Sequence, residues 1–242
     1  MTSNIAIVSQ ARIASERLPG KVMKQINGKT LLQYHVERLY SSKIPVIVAT
    51  TVSTPDDRII EELDRLNIPG FRSSEQDVLY RYYETACAYD LDVIIRVTSD
   101  CPLIDGELIQ KGLELYLKSP NPERTYLSNC LQRTFPRGFD FEIFSRTLLE
   151  EAHDKARLAF EREHVTPYFY YQPKADIQLI NVAHSFDKSN YRVTVDTVED
   201  FELVQILIQE GASRMSFQQI IQLLEEHPHW AELNAQIKQK QL

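Results

Sequence analysis

Apolar runs and amphipathic segments alternate along the first half of the chain. The apolar positions predict buried strands at residues 5–8, 45–50, 70–72 and 93–97. Between these runs, apolar side chains recur at helical spacing and predict helices at residues 30–40, 54–66, 74–87 and 105–118. Asp105 is expected to cap the last of them. Because strands and helices alternate regularly, we expect a mostly parallel, Rossmann-like sheet with helices on both faces.

The second half of the chain changes rhythm after residues 119–122. Its pattern predicts strands at residues 126–129, 139–144, 177–183 and 191–195. It predicts helices at residues 145–158, 163–171, 201–210 and 216–239, the last interrupted at Pro228. Trp230 in this last segment is expected to cover an apolar edge. Side-chain alternation would place Asp140 and Glu142 on the same face of one strand. We expect a single α/β domain over residues 1–242, with a mixed α+β subregion at about 126–183 for substrate binding or dimerisation.

The composition is that of an ordinary globular protein. The formal net charge is −7, from 27 basic and 34 acidic residues, so the overall charge argues against nucleic acid as a partner. Three cysteines, Cys87, Cys101 and Cys130, share no spacing typical of a zinc site and indicate no disulfide framework. No apolar run approaches the length of a membrane span or a signal peptide, so we expect a cytoplasmic protein that does not bind a membrane.

A polar, cationic loop follows the first predicted strand directly. Arg12, Arg17 and Lys21 place three cations within ten residues, Ser15 adds a hydroxyl, and the Pro19-Gly20 pair favours a turn. Phosphates bind where charged donors converge from a bent backbone, and such loops lie at the carboxyl ends of strands in open α/β sheets. The stretch at residues 10–21 therefore predicts a polyphosphate cradle. The alternative is a solvated basic loop, since the stretch matches neither the Walker loop nor the dinucleotide glycine motif.

Two aspartates, Asp100 and Asp196, each stand just past the end of a predicted strand. Such positions lie on the same edge of the sheet as the cationic loop. Because Mg²⁺ is commonly held by one or two carboxylates together with substrate phosphates, the pair predicts a magnesium site. The alternative is structural: Asp196 would cap a helix that begins near Val198, and Asp100 would cap a turn before Pro102.

Six motifs in order along the chain together resemble the cytidylyltransferase family, which contains the CMP-sialic acid and CMP-Kdo synthetases. The likeness is greatest to its spore coat polysaccharide biosynthesis branch, SpsF, and runs from Ile5 to about Leu207. The motifs are Gln10-Ala-Arg-x-x-Ser-x-Arg-Leu-Pro-Gly-Lys21, Asp77-Val-Leu-x-Arg81, Arg96-Val-Thr-x-Asp-Cys-Pro-Leu103, Pro136-Arg-Gly-x-Asp-x-Glu142, Glu163-His-Val-Thr-Pro167 and Val195-Asp-Thr-x-Glu-Asp200.

The resemblance implies a fold of the nucleotide-diphospho-sugar transferase type and a reaction with CTP. A hydroxyl of a sugar acid would attack the α-phosphate and release pyrophosphate, for surface polysaccharide synthesis, in a homodimeric enzyme that uses Mg²⁺. The implied catalytic residues are Arg12, Lys21, Asp100 and Asp196, the last two as the metal ligands. The implied nucleotide-binding residues are Gln10, Ala11, Arg12, Ser15, Arg17, Lys21, Asp77 and Arg81.

Candidates for binding the sugar acid lie in the second half, because arginine suits a carboxylate and acidic side chains suit hydroxyls. They are Arg137, Asp140, Glu142, His164 and Arg192. The alternative for His164 is a structural hydrogen bond to a backbone carbonyl. The alternative for Asp77 and Arg81 is a surface ion pair at i,i+4 spacing. The aromatic cluster at residues 168–171 could stack on a base or belong to the core or a subunit contact.

The chain departs from the family pattern at Ala14, Ser73 and Ser99, where related sequences usually carry glycine. Glycine at such places permits close backbone approach or a positive φ. Ala14 and Ser99 flank the expected phosphate and metal positions, so an altered pose of the nucleotide is an open alternative. Two alternative functions are a GT-A-type glycosyltransferase that uses a nucleotide sugar, and a catalytically silent nucleotide-binding homologue, the second suggested by the missing glycines. The first is disfavoured because the Asp90-Leu-Asp92 triplet precedes the predicted strand and Asp100 stands alone.

Overall fold

The apolar runs become neighbouring strands in the computed structural model, which describes residues 3–172 and 174–238. Within those residues the strands are β1 (Ile5–Gln10), β2 (Gln25–Ile26), β3 (Lys29–Thr30), β4 (Val46–Thr51), β5 (Gly70–Ser73), β6 (Val93–Thr98), β7 (Thr125–Ser128), β8 (Glu142–Ser145) and β9 (Gln178–Asn181). Seven of them form one sheet in the order β5-β4-β1-β6-β8-β7-β9, while β2 and β3 pair as a short antiparallel hairpin.

The middle of the sheet is parallel, as the alternation of strands and helices predicted. Strand β1 lies between β4 and β6, and Ile7 is aligned with Val46 on one side and Ile95 on the other. Strand β8 runs antiparallel to both β6 and β7, and β9 is parallel to β7. The mostly parallel α/β fold is therefore confirmed, and its irregular part lies at the β8 side of the sheet.

Helices cover the sheet, and six of those described begin at a residue whose side chain caps the helix. In the described residues they are α1 (Leu31–Leu39), α2 (Asp57–Leu66), α3 (Val78–Ala88), α4 (Gly106–Leu117), α5 (Arg146–Lys155), α6 (Ala159–His164), α7 (Pro167–Tyr170), α8 (Val198–Gln209), α9 (Phe217–Glu226) and α10 (Pro228–Ala231). Asp105 accepts a hydrogen bond from the Leu108 backbone N–H at 3.0 Å, which confirms it as the cap of α4.

Two apolar layers form the core, one on each face of the sheet. Ile7 faces the layer that contains buried side chains of α1, α4, α8 and α9. Ala6 and Val8 face the opposite layer, with buried side chains of α3, α5 and α7. Side chains of β1 thus alternate between the layers, so Ser9 faces the α1 side and Gln10 faces the α3 side. This strand therefore carries polar groups to both sides of its carboxyl end.

Two predictions of strand in the second half were wrong. Residues 191–195 form only an isolated bridge between Arg137 and Arg192. The Val193 N–H donates to the Arg137 carbonyl, and the Val195 N–H donates to the Asp100 carbonyl. The backbone partners of this segment therefore lie in two different loops and not in one neighbouring strand. Residues 139–141 precede β8, because the Asn129 side chain bonds their backbone at Phe139 O and Phe141 N. Asp140 thus lies before the strand, and its predicted alignment with Glu142 does not hold.

Helix boundaries also differ from the prediction at several places, and at two of them the predicted helix is divided. The helix expected at residues 163–171 is split into α6 and α7, because Val165 adopts a φ of 71°, which ends a helix. The segment expected to be helical to residue 239 consists of α9, α10 and a 3₁₀ turn at Glu232–Asn234, and residue 239 lies outside the described residues. Trp230 packs against the core as expected. None of the helices in residues 3–172 and 174–238 is long and apolar enough to cross a membrane.

Candidate active site

A cleft of about 470 Å³ opens where β1 and β6 end, at the carboxyl edge of the parallel strands. Twelve of the residues singled out from the sequence line it together: Gln10, Ala11, Arg12, Ser15, Arg17, Lys21, Arg81, Asp100, Arg137, Asp140, His164 and Asp196. The cleft therefore brings the cationic loop, both aspartates and part of the second-half set to one place.

The cationic loop is fixed by its backbone and by its apolar residues. Leu18 and Val22 are buried and anchor the loop in the core. The Ile13 N–H donates to the Asp56 carboxylate at 2.7 Å, and the Gly20 N–H donates to the Ile13 carbonyl at 3.0 Å. Gly20 has a φ of 68°, a conformation that glycine adopts without the strain of a side chain. With this backbone held, the cationic side chains of the loop line the cleft.

Lys21 lies between the two aspartates. Its Nζ donates to Asp100 Oδ2 at 2.8 Å and to Asp196 Oδ1 at 2.7 Å. Burial disfavours the ammonium, but the two carboxylates outweigh this and raise the pKa of Lys21 above its ordinary value. Burial likewise disfavours the Asp100 carboxylate, but Lys21 outweighs it and holds the pKa of Asp100 well below its usual range. Lys21 and Asp100 are therefore both charged at neutral pH.

Asp196 is positioned by two arginines and a helix cap. Arg17 Nη2 lies 2.9 Å from Asp196 Oδ2, and Arg192 Nη2 lies 2.6 Å from the same oxygen. Arg192 also donates through Nε to the buried Asp200 at 2.8 Å. Thr197, not Asp196, supplies the side-chain cap of α8. The capping alternative for Asp196 is therefore wrong. Arg192, a candidate for binding the sugar acid, contacts Asp196 but does not line the cleft.

A buried chain of hydrogen bonds positions the turn that carries Asp100. His35 contacts the Cys101 carbonyl at 2.9 Å through Nδ1 and Ser9 Oγ at 2.8 Å through Nε2. Ser9 Oγ in turn contacts Ser99 Oγ at 2.7 Å. Burial lowers the pKa of His35 to about 4, and the Cys101 carbonyl and the Asp100 carboxylate only partly oppose this effect. His35 is therefore neutral at physiological pH. It holds Cys101 directly and Ser99 through Ser9, and these two residues flank Asp100.

Arg81 and Asp77 are both engaged, but not with each other's side chains. Arg81 is 1% exposed and donates to the Ser74 carbonyl at 2.9 Å. Asp77 caps α3 by accepting from the Tyr80 N–H at 2.9 Å, and it pairs with Arg162. The i,i+4 surface pair considered from the sequence is thus not formed. Asp77 lies outside the cleft lining, whereas the Arg81 side chain reaches the cleft.

The opposite wall of the cleft is built from residues of irregular segments and α6. Arg133 binds Asp140 through two hydrogen bonds, of 2.5 Å and 3.0 Å. Arg137 lies nearby, and its pKa is lowered by burial and by the neighbouring Arg133. His164 also lines this wall, and burial lowers its pKa. With Glu163, which also lines the cleft, this wall combines two arginines, two acids and one neutral imidazole.

Glu142 lies outside the cleft lining and belongs to a buried network below it. Its carboxylate pairs with Arg96 and accepts from Tyr126 Oη and Thr166 Oγ1, each at 2.5 Å. Arg96 continues from this pair to the cleft, where it is part of the lining. Glu142 therefore affects the cleft only indirectly, because it pairs with the Arg96 side chain that lines it.

Several cleft residues were missed from the sequence as individual site residues. Arg96, Thr98 and Glu163 stood inside quoted motifs without a role, and Arg133 and Thr194 were not considered. For Arg96 a signal was present, because a charged side chain within an apolar run is unusual in a buried strand. Arg133 had no such signal, since its partner Asp140 is brought to it by the irregular turn between them.

The three residues at expected glycine positions cause no backbone strain. Ala14, Ser73 and Ser99 all lie in the described part of the chain, and none of them has a positive φ. Ser99 uses its hydroxyl in the buried chain to Ser9, and Ser73 bonds to Glu84. The backbone conformations at these positions therefore do not require glycine.

Comparisons with known proteins agree with the class that this geometry defines. The fold, with a cationic loop opposite two aspartates at the carboxyl edge of the sheet, is that of a nucleotidyltransferase. A family model described as cytidylyltransferase matches residues 5–241. The chain belongs to the cytidylyltransferase family.

Two curated relatives differ in how much of the chain they match. The spore coat polysaccharide biosynthesis protein SpsF of Bacillus subtilis is 30% identical over 236 residues, 93% of this chain and 96% of that protein. The 3-deoxy-manno-octulosonate cytidylyltransferase of Cytophaga hutchinsonii is 37% identical over 118 residues, 46% of each chain.

Two solved structures share this fold. A cytidylyltransferase from Leptospira borgpetersenii has a TM-score of 0.91 and 34% identity, and the match covers 99% of this chain and 100% of that one. A CMP:2-keto-3-deoxy-manno-octonic acid synthetase complexed with CTP has a TM-score of 0.65 and 18% identity, covering 86% and 100%. At that identity the second likeness concerns the fold alone.

Proposed function

We propose that this enzyme transfers CMP from CTP to a hydroxyl of a sugar acid and releases pyrophosphate. The acceptor would be a nonulosonic or Kdo-like acid, and the product would serve surface polysaccharide synthesis. The observation that carries the proposal is the cluster of Lys21, Asp100 and Asp196, placed between the cationic loop and the arginine-rich opposite wall. The relative from Cytophaga hutchinsonii is named as a 3-deoxy-manno-octulosonate cytidylyltransferase, which supports the choice of acceptor. The relative from Bacillus subtilis is named for spore coat polysaccharide biosynthesis, which supports the use of the product.

The cationic loop supplies the charge that a triphosphate requires. Arg12, Arg17 and Lys21 would bind the phosphates, with Ser15 as an additional donor. Transfer of a nucleotidyl group needs little covalent help, because its main demands are alignment and neutralisation of charge on the leaving pyrophosphate. A rigid loop anchored in the core meets both demands, since its donors need not reorganise during the reaction.

Asp100 and Asp196 fit a magnesium ion. Both carboxylates contact the same Lys21 Nζ, so their oxygens converge on one place, and carboxylate oxygens are ligands that Mg²⁺ prefers. The described residues contain no group of three or more histidine, cysteine or acidic side chains that could hold a metal ion. Phosphate oxygens would therefore complete the ligand set, as is usual for Mg²⁺. Bound Mg²⁺ would act as a Lewis acid on the phosphate oxygens.

The opposite wall suits an acidic, hydroxylated acceptor. Arg137 is the stronger candidate for the acceptor carboxylate, because Arg133 is already bound to Asp140. Asp140 keeps accepting capacity for a sugar hydroxyl, and the neutral His164 offers a further polar contact. The acceptor would thus be held by its carboxylate and hydroxyls, with one hydroxyl directed towards the α-phosphate.

We further propose that the enzyme is a cytoplasmic homodimer. The edge strand β9 and the neighbouring exposed Tyr171 and Leu179 support a subunit contact in the region of residues 126–183. Supply of CTP within the cell supports the cytoplasmic location. Sedimentation of the purified protein would test the dimer directly.

A pyrophosphate-release screen tests the proposed reaction. It crosses the four nucleoside triphosphates with Kdo, sialic, legionaminic and pseudaminic acids, in the presence of Mg²⁺. We expect release only with CTP and with at least one of these acids. Sugar transfer from an intact nucleotide sugar without pyrophosphate release from CTP would instead identify a glycosyltransferase. Binding of CTP without turnover of any acid would identify a catalytically silent homologue.

A further inference from the structure

The ammonium of Lys21 lies at the point where the carboxylates of Asp100 and Asp196 converge. The two contacts, of 2.8 Å and 2.7 Å, use one oxygen of each carboxylate. The Lys21 side chain is 11% exposed, and the carboxylates are 24% and 16% exposed, so water screens the three charges only partly. Lys21 is thus the cation that bridges this pair in the structure.

A divalent cation held by both aspartates would compete with Lys21. Oxygen ligands of Mg²⁺ lie at about 2.0–2.1 Å, which is shorter than either contact with the ammonium. The ion would therefore contact the same carboxylate groups while Nζ remained within a few ångströms of it, where like charges repel strongly in a partly buried site. A divalent cation can therefore bind Asp100 and Asp196 favourably only if the Lys21 ammonium pairs with another anionic group.

Arg17 provides an internal comparison. It also pairs with Asp196, at 2.9 Å, but through Oδ2. Among the described residues it forms no ion pair with Asp100, so it does not bridge the two carboxylates, and its side chain is 30% exposed. Removing Arg17 would lower the positive charge near the aspartates but would leave the bridge in place.

We propose that Lys21 is an internal counter-cation that keeps divalent ions off Asp100 and Asp196 until a polyphosphate takes over its ammonium. Metal and nucleotide therefore enter the site together. This inference rests on the proposed function and adds a condition on binding: the metal-binding pair is available only when the nucleotide is present.

Binding of Mn²⁺ alone, followed by the electron paramagnetic resonance signal of the free ion, tests the first half of the inference. Without nucleotide, we expect Asp100→Asn to leave the Mn²⁺ affinity of the wild-type protein unchanged, because the pair is already occupied. Lys21→Gln should raise the affinity about tenfold or more, a typical size for coupled sites. Adding Asp100→Asn to Lys21→Gln should remove that gain, whereas Arg17→Gln should change affinity less than about threefold.

The opposite results would overturn the inference. Tight Mn²⁺ binding by the wild-type protein that Asp100→Asn weakens would show that Lys21 does not exclude the ion. An unchanged affinity in Lys21→Gln, or an equal gain in Arg17→Gln, would contradict the specific role of the bridge. Lys21→Met is a second neutral variant, and if neither variant folds, the comparison of wild type with Asp100→Asn decides.

A nonreactive CTP analogue, α,β-methylene CTP, tests the second half. In the wild-type protein we expect a spectrum of protein-bound Mn²⁺ to appear only after the analogue is added. If Lys21→Gln gains Mn²⁺ affinity but the analogue has no effect on either protein, the exclusion stands and the proposed use of CTP fails. If the analogue binds but Lys21→Gln gains nothing, the proposed function stands and the inference fails.

Discussion

The two walls of the cleft are built in different ways. The wall that faces the proposed triphosphate follows directly from β1 and β6, and its loop is anchored by Leu18, Val22 and backbone hydrogen bonds. The wall that faces the proposed acceptor comes largely from irregular segments near residues 129–141 and 191–196. These segments are held by the Asn129 side chain, the Arg133–Asp140 pair and single backbone contacts.

This difference indicates which wall can change without disturbing the fold. Substitutions in the first wall act on loops that continue central strands, so they alter the sheet edge itself. The second wall depends on a few side-chain interactions, and its pairs can be replaced with limited effect on the parallel strands. We therefore expect the first wall to govern nucleotide binding and the second wall to govern the choice of acceptor, and the following predictions test this division.

The largest effect should come from Asp100→Asn, since Asp100 lies where both walls meet. Loss of one of the converging carboxylates should lower kcat for pyrophosphate release about 10³-fold, as expected when a preorganised charged group is removed. Initial rates at saturating CTP and acceptor measure this change. Asp90→Asn, at an exposed position, is the matched control. Unchanged release in Asp100→Asn would contradict the role given to this residue.

Glu142→Gln should cause the largest loss of stability. The substitution leaves the buried Arg96 without its counter-charge, which should lower the free energy of unfolding by about 3 kcal/mol. Urea denaturation measures the loss. Asp176→Asn is the control, because Asp176 is mostly exposed and its pair with Arg124 should contribute less than about 1 kcal/mol. If Glu142→Gln lost no more stability than Asp176→Asn, the buried network below the second wall would contribute no more than an exposed ion pair.

Acid should destabilise the first wall through His35. Its folded pKa of about 4 lies below its ordinary value of 6.5, so between these values the unfolded chain binds a proton that the folded chain does not. The contribution is complete above pH 6.5 and is lost as pH falls towards 4, by roughly 3 kcal/mol. Urea denaturation across this range should show the loss, and His35→Gln should reduce it. An unaltered pH slope in that variant would argue against a buried, neutral His35.

A matched pair of arginine substitutions separates the two walls. Arg12→Gln should raise the KM for CTP about tenfold and leave the KM for the acceptor nearly unchanged, because a charge-assisted contact on one ligand is lost. Arg137→Gln should do the reverse. Both constants come from the same two-substrate rate measurements. If both variants affected the same substrate, the division of the cleft would be incorrect.

Ser99→Gly should give the smallest change. The substitution removes one hydroxyl from the buried chain to Ser9 and His35 and frees the backbone, which should lower the free energy of unfolding by about 1 kcal/mol. Ser99→Ala separates the hydroxyl from the backbone effect. A more stable glycine variant would mean that the hydrogen bond between the two serines contributes nothing.

The sequence was most informative where local patterns decide the structure. The strands β1, β4 and β6 and the cap at Asp105 were predicted because apolar runs and capping residues act over a few positions. The placement of Asp100 and Asp196 on one edge followed from the topology of parallel strands. Their shared contact with Lys21 could not be predicted, since Lys21 is separated along the chain from Asp100 by 79 residues and from Asp196 by 175 residues.

The second wall was less predictable because distant side chains define it. Arg96 and Glu142 are 46 residues apart, and their burial depends on the antiparallel pairing of β6 with β8. The segment at residues 191–195 has the composition of a strand, yet its backbone partners lie on two separate loops. The role of His35 was missed because a polar residue on the apolar face of a helix reveals its partners only when the helix is packed.

Tracing the α-phosphate of CTP tests the central claim most directly. The enzyme is incubated with Mg²⁺ and a sugar acid in parallel reactions with α-labelled and γ-labelled CTP. The account predicts that the α-label appears in a compound that joins CMP to the sugar acid, while the γ-label appears only in pyrophosphate. Recovery of both labels in unreacted CTP with every acid, together with sugar transfer from a nucleotide sugar, would contradict it.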